Sequence, residues 1–192
     1  GLFLACRLRQ LGVHCVVWER LAEPRGHSRA VGVQPPSLIM MRTLGIAETF
    51  VERGVPMQRA LIHAGGRLVG TLDLSAGPDP FPYILAVPQY ETEAILQQHL
   101  LELDRSALRR GVAFESVTDM HDGVTVQGHD ASGAQVTLHA DLVVGCDGKD
   151  SAVRAAVGLP FEGRSFDDAY AVGDFDADPA NCNEAWFFYH RS

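Results

Sequence analysis

Two residues near the start of the chain, Gly1 and Glu19, stand at a spacing that suits dinucleotide binding. In a strand–helix–strand unit that holds such a ligand, glycines open the helix and let the backbone approach the pyrophosphate. An acidic residue at the end of the second strand accepts hydrogen bonds from the ribose hydroxyls. The helix N-terminus adds free N–H groups and partial positive charge. Gly1 can be the last of those glycines, and Glu19 closes an apolar run. A lone glycine and a surface glutamate would look the same, so the pair needs a second signal.

That signal is the stretch from Asp141 to Arg154. Residues 142–146 form a continuous apolar run of the kind buried in a parallel sheet. The run ends in Asp147-Gly148, and Ser151 can N-cap a helix with Arg154 in its first turn. Asp147 would then lie at the carboxyl end of a strand, where open α/β sheets bind ligands. Gly148 permits positive φ or close backbone approach. The plainer alternative is a strand-turn-helix connection with no ligand, since Asp-Gly is a common turn.

Elements must position these groups. Leu4, Leu8 and Leu11 follow helical spacing, and Gly12 suits a helix C-terminus. Residues 14–19 are rich in β-formers and predict a strand. Residues 20–33 read as a loop, and 36–44 and 46–53 as helices, with Met40 and Met41 in the core. Strand-like segments at 60–64, 68–74 and 83–87 suggest a small antiparallel sheet inserted into the α/β region. Residues 91–103 predict a helix with Ile95, Leu96, Leu100 and Leu103 on one side. Segments 111–117, 123–128 and 135–139 suggest a three-strand meander, and the sequence from Phe161 onward is strand-like again. Trp186, Phe187, Phe188 and Tyr189 read as core of a sheet, with an aromatic substrate pocket as the alternative.

A helix at residue 1 that feeds a parallel strand calls for a strand before it, and the aromatic run at 185–189 calls for neighbours after it. Further residues are therefore expected on both sides.

At 192 residues and 46% hydrophobic, the chain can bury a sizeable core. A net charge of −8 argues against nucleic acid or an anionic membrane as partner, since both require clustered Lys and Arg. Asp167, Asp168, Asp174, Asp176 and Asp178 read as a solvated surface rather than a metal site. Cys6, Cys15, Cys146 and Cys182 form no CxxC pair. The first three sit in apolar runs and read as buried free thiols, which suits a reducing cytoplasm. No stretch is apolar for long enough to span a bilayer, and no signal peptide is visible. The histidines are scattered, no Gly-x-Ser-x-Gly elbow occurs, and no metal is expected.

Taken in order, Glu19-Arg20, His27-Ser28-Arg29-Ala30, residues 61–66, residues 88–93 and the Asp147-Gly148 stretch resemble the class A flavoprotein aromatic monooxygenases, the family of para-hydroxybenzoate and phenol hydroxylases and the polyketide aromatic hydroxylases. The resemblance covers nearly the whole chain. It implies an α/β fold: a Rossmann-like FAD-binding domain (1–58 and 88–160) interrupted by a β-rich substrate domain (59–87 and 161–192). It implies FAD as cofactor, NADPH or NADH as co-substrate, molecular oxygen and a small aromatic substrate. Gly1 would be the last glycine of the FAD fingerprint, and Glu19 would bind the adenosine ribose with Arg20 beside it. Arg29 would reach the FAD phosphates or the flavin edge, and Gln89 the ribityl–pyrophosphate region. Asp147 and Gly148 would serve FAD and NAD(P)H, with Arg154 in support. No catalytic side chain is assigned, because the hard chemistry belongs to the cofactor. Another FAD oxidoreductase, such as a halogenase, and a non-catalytic nucleotide-binding remnant are the alternatives.

The sequence departs from the family at Lys149-Asp150, where relatives carry a small residue and then His, Asn or Arg. The first two fingerprint glycines, and the later Gly-Asp motif that in the family holds the ribityl chain near the flavin ring, are not found among these residues. The 192 residues alone are therefore expected to hold FAD loosely and to be inactive.

Overall fold

The computed structural model describes residues 1–24, 26, 32–164 and 183–189. Arg29, the His27-Ser28-Arg29-Ala30 segment, Cys182 and the Asp167–Asp178 acids lie outside the described residues. The chain is α/β and divides into two compact units, Gly1–Arg25 with Leu96–Tyr170, and Gly26–Ile95 with Ala171–Ser192.

The first unit opens with helix α1 (Leu2–Gln10), capped by Gly1. Gly12 takes φ +77°, Gly12 N–H donates to the Arg9 carbonyl, and Val13 N–H donates to that of Leu8. This is the Schellman ending that the Leu/Gly pattern predicts. Strand β1 (Val17–Glu19) pairs in parallel with β7 (Leu108–Arg110), with Trp18 opposite Arg109 and Glu19 opposite Arg110. Between them in sequence runs α4 (Gln89–Leu103), within which the boundary between the units falls. Its C-terminal half buries Leu96 and Leu100. Cys6 Sγ donates to the Leu96 carbonyl at 3.4 Å, and Arg110 grips Gln97 Oε1 through Nε and Nη2. Strands β8 (Ala113–Met120), β9 (Gly123–His129) and β10 (Gln135–Ala140) form the expected antiparallel meander. Gly128 is required there: a Cβ would lie 2.3 Å from the Ala113 carbonyl oxygen and 3.1 Å from the Trp18 ring. Helix α5 (Ala152–Ala156) is the last regular element among the described residues of this unit.

In the second unit β2 (Gly32–Val33), β6 (Ile84–Ala86) and β3 (Val55–Met57) form one antiparallel sheet with β6 in the middle. Helices α2 (Pro35–Thr43) and α3 (Ala47–Arg53) bury Leu38, Ala47 and Phe50. Strands β4 (Arg59–Ala64) and β5 (Arg67–Asp73) make a hairpin over Gly65-Gly66, both at positive φ. That backbone suits the twist of a two-residue hairpin loop. Strand β11 (Glu184–Tyr189) joins β4 in parallel.

Several expectations change. The segments at 60–64, 68–74 and 83–87 do not share a sheet: the first two pair with each other, while β6 pairs with β2 and β3. Alternation predicts strands but carries no partner information, and that is where the reading failed. Residues 142–146 are not in a sheet; no described strand pairs with them, and Leu142 is 75% exposed. Cys146 is likewise exposed and Cys15 half-buried, so of the three thiols only Cys6 is buried. Met40 points outward, the core contribution of α2 coming from Pro35 and Leu38. The aromatic strand does find a neighbour, in β4, but its rings are not core: Trp186, Phe187, Phe188 and Tyr189 are all exposed, Phe188 by 68%. His63 stacks on Trp186 and Phe188, with ring centroids 5.4 and 5.0 Å away.

Candidate functional site

The first unit brings most of the candidate residues into one region. Gly1 caps α1, and a Cβ built on it would lie 3.7 Å from Cys146 Cβ and 4.0 Å from Val17 Cγ1. The opening of the helix therefore meets the start of β1 and the residue before Asp147. Glu19 ends β1, and its Oε1 accepts the Leu21 N–H at 2.9 Å, which folds the chain sharply away after the strand. Arg20 follows and is exposed.

The turn at 147–154 is organised by Asp147. Its Oδ1 accepts the Ser151 hydroxyl at 2.5 Å and its Oδ2 accepts the Val153 N–H at 3.1 Å. Ser151 Oγ in turn accepts the Arg154 N–H at 2.9 Å, so the expected N-cap is present and is itself held by the aspartate. Burial pulls the Asp147 carboxyl upward, but the Ser151 hydroxyl and the N–H groups of Val153, Asp147 and Ala152 outweigh it. The net result is a carboxyl below its ordinary range, hence an anion at neutral pH.

Gly148 has φ +85° with nothing within 4 Å of a built Cβ. The space over the turn is open, and a side chain there would be strained by the backbone rather than by contact. Arg154 Nη2 donates to the Lys149 carbonyl at 2.8 Å, and its guanidinium lies 4.4 Å from the centre of the Phe161 ring. Arg154 is thus a brace across the turn. Gln89 opens α4 in the other unit, where its Nε2 donates to Glu93 Oε1 at 3.0 Å.

Two contributors escaped the sequence reading. Gly145 allows α5 to dock: a Cβ there would sit 2.9 Å from Val153 Cβ. A glycine inside an apolar run was the available signal. Phe161, read as the start of a strand, instead supports Arg154. Among the described residues no group of three or more His, Cys, Asp or Glu could hold a metal ion, and no helix is long and apolar enough to cross a membrane.

The fit to a dinucleotide rests on this geometry. A helix opens on glycine without a side chain in the way, a carboxylate stands at a strand end, and the residue that precedes an uncrowded Asp-Gly turn lies beside the helix start. These residues can accept ribose hydroxyl bonds at Glu19 and let a pyrophosphate approach at Gly1 and Gly148.

Comparison with known proteins bears on the family. The profile of the FAD binding domain family matches residues 1–189. The 12-dehydrotetracycline 5-monooxygenase/anhydrotetracycline 6-monooxygenase of Streptomyces rimosus is 38% identical over 85% of this chain and 32% of its own length. The rifampicin monooxygenase of Streptomyces venezuelae is 39% identical over 85% of this chain and 33% of its own. Among solved structures, the p-nitrophenol 4-monooxygenase of Pseudomonas putida superposes with a TM-score of 0.80 at 27% identity, covering 86% of this chain and 42% of that one. The anhydrotetracycline hydroxylase of Streptomyces rimosus gives 0.75 at 36% identity over 85% of this chain and 33% of that one. The chain therefore spans about a third of the length of the curated relatives it matches. On the ordered motifs, the fold and this match, the chain belongs to the FAD binding domain family of the class A flavoprotein aromatic monooxygenases.

Proposed function

We propose that the chain serves an FAD-dependent monooxygenase that hydroxylates an aromatic, phenolic or polyketide-like substrate with NAD(P)H and molecular oxygen in the cytoplasm. The observation that carries the reading is the meeting of Gly1, the foot of β1 and Cys146, the residue before Asp147, within one unit. Bound FAD supplies the redox chemistry and the activation of oxygen. The chain's own residues bind and orient it. Gly1 leaves the start of α1 clear for the pyrophosphate, Glu19 offers a carboxylate to the adenosine ribose, and Arg20 flanks it. Asp147 fixes the turn that presents Gly148, and Arg154 keeps that turn closed through the Lys149 carbonyl. For Arg29 and Gln89, which belong to the other unit, the assignments stay those the family resemblance implies: the FAD phosphates or the flavin edge for Arg29, and the ribityl–pyrophosphate region for Gln89.

The functional division we propose assigns 1–58 and 88–160 to FAD binding and 59–87 and 161–192 to the substrate side. The exposed aromatic rings of β11 support the second assignment. Relatives named for tetracycline, rifampicin and hydroxyphenylpropionate substrates support an aromatic or polyketide-like ring as the substrate class.

The test is NAD(P)H oxidation by the intact protein across a panel of phenols, read together with flavin content. Oxidation stimulated by at least one phenol, and lost along with flavin in Glu19→Ala and Asp147→Ala, is the expected result. Unchanged flavin content and unchanged oxidation in both variants would remove the site assignment.

A further inference from the structure

Lys149 and Asp150 lie next to Gly148 and are paired with each other: Lys149 Nζ donates to Asp150 Oδ2 at 2.7 Å and to Oδ1 at 3.0 Å. Both side chains are largely exposed. Asp150 also has two further cations near it. Its carboxyl is held below the ordinary range first by the hydrogen bond and charge of Lys149, then by the charges of Arg154 and Arg20. Arg20 follows β1, and Lys149 and Arg154 belong to the turn, so positive charge from two separate segments acts on one acid, with Lys149 alone of the three shown in contact with it. Arg154 is already engaged with the Lys149 carbonyl and the Phe161 ring. Lys149 is the cation of the set that Asp150 holds directly.

We propose that Asp150 is a negative determinant of dinucleotide affinity: by holding Lys149 it keeps a phosphate-attracting cluster at partial strength. The inference rests on the reading of this turn as part of the FAD site. Its chemistry is simple. A diphosphate approaching Gly148 meets the attraction of Arg20 and Arg154, a Lys149 whose charge is offset, and the repulsion of Asp150 itself. Neutralising Asp150 removes the repulsion and frees the lysine. The effect is that of one or two exposed unit charges within a Debye length, so it is modest and salt-sensitive.

The experiment titrates FAD into the intact protein and into its Asp150→Asn variant by flavin fluorescence anisotropy, at low and high ionic strength, with riboflavin as a probe that lacks phosphate. The expected result is FAD binding tightened about three- to tenfold in Asp150→Asn at low salt, a gain that shrinks at high salt, and riboflavin unmoved. Lys149→Ala combined with Asp150→Asn should give back part of the gain. FAD binding that is present but equal or weaker in Asp150→Asn overturns the role of Asp150 while leaving the flavin site standing. An equal gain for riboflavin overturns it as well, because the phosphate would then be irrelevant. If neither protein binds FAD measurably, the flavin-site reading falls and this inference falls with it.

Discussion

Residues 142–146 are apolar and meet no described strand, whereas residues 147–154, which follow directly, are polar and joined by a chain of hydrogen bonds. The second stretch needs only itself. Asp147, Ser151, Val153 and Arg154 are close in sequence, so their bonds cost little chain entropy to form. Among the described residues no strand pairs with the first stretch, and its side chains stay largely in solvent. The order of the candidate site is thus built into its own short segment, and the apolar run that leads to it contributes position rather than organisation.

That contrast can be broken in several places. The largest expected difference is between two thiols. Cys146, at the junction, is exposed, while Cys6 is fully buried and burial pushes it up to about 11. With iodoacetamide at pH 8, mass spectrometry should find Cys146 alkylated more than about tenfold faster than Cys6. Comparable rates would mean that the junction is covered. Gly145→Val should come next, costing about 1–3 kcal/mol, because the new side chain collides with Val153. Hydrogen exchange at the Arg154 amide should accelerate, and an unchanged rate would separate α5 from the run before it.

Asp147→Ala removes the acceptor for both Ser151 and the Val153 N–H, and should cost about 1–2 kcal/mol in urea unfolding. Its acid dependence has a definite sign. The folded-state carboxyl lies below its ordinary value, so its contribution is complete above the unfolded pKa of about 4 and is lost as pH falls through the lower, folded value. The variant should lack that part of the acid-side decline, and a wild-type decline in the variant would acquit Asp147. Ser151→Ala should cost about 1 kcal/mol through the lost cap. Leu142→Ser should be the mildest, within about 0.5 kcal/mol, since the side chain is already exposed. A large loss there would show that the run is buried after all.

Most helices were legible because their signals are local: the leucine spacing and Gly12 for α1, the proline and apolar pattern for α2, and Ser151 for α5. The β8–β10 meander was legible for the same reason, since each strand pairs with its neighbour in sequence. Strand β7 was not, because Leu108-Arg109-Arg110 has a basic, mostly polar sequence and becomes a strand only by lying beside β1. The exposure of 142–146 and of Trp186 to Tyr189 was missed for the converse reason: an apolar sequence reports the surroundings a segment suits, and burial also requires something to lie against it. At the site, residue types and order pointed to Gly1, Glu19 and Asp147, but the bond from Ser151 to Asp147 and the fit of Gly145 against Val153 depend on the path of the turn.

The parallel pairing of β1 with β7 joins positions separated by roughly ninety residues, a long closure for so short a ladder. During synthesis the N-terminal piece leaves the ribosome long before its partner does. Glu19 must therefore wait, without its flanking strand, until Arg110 has emerged, and Asp147 follows later still. Assembly of the proposed nucleotide cradle therefore waits for the later of these segments, and a delay or chaperone acting between those two points acts on the proposed site before it exists.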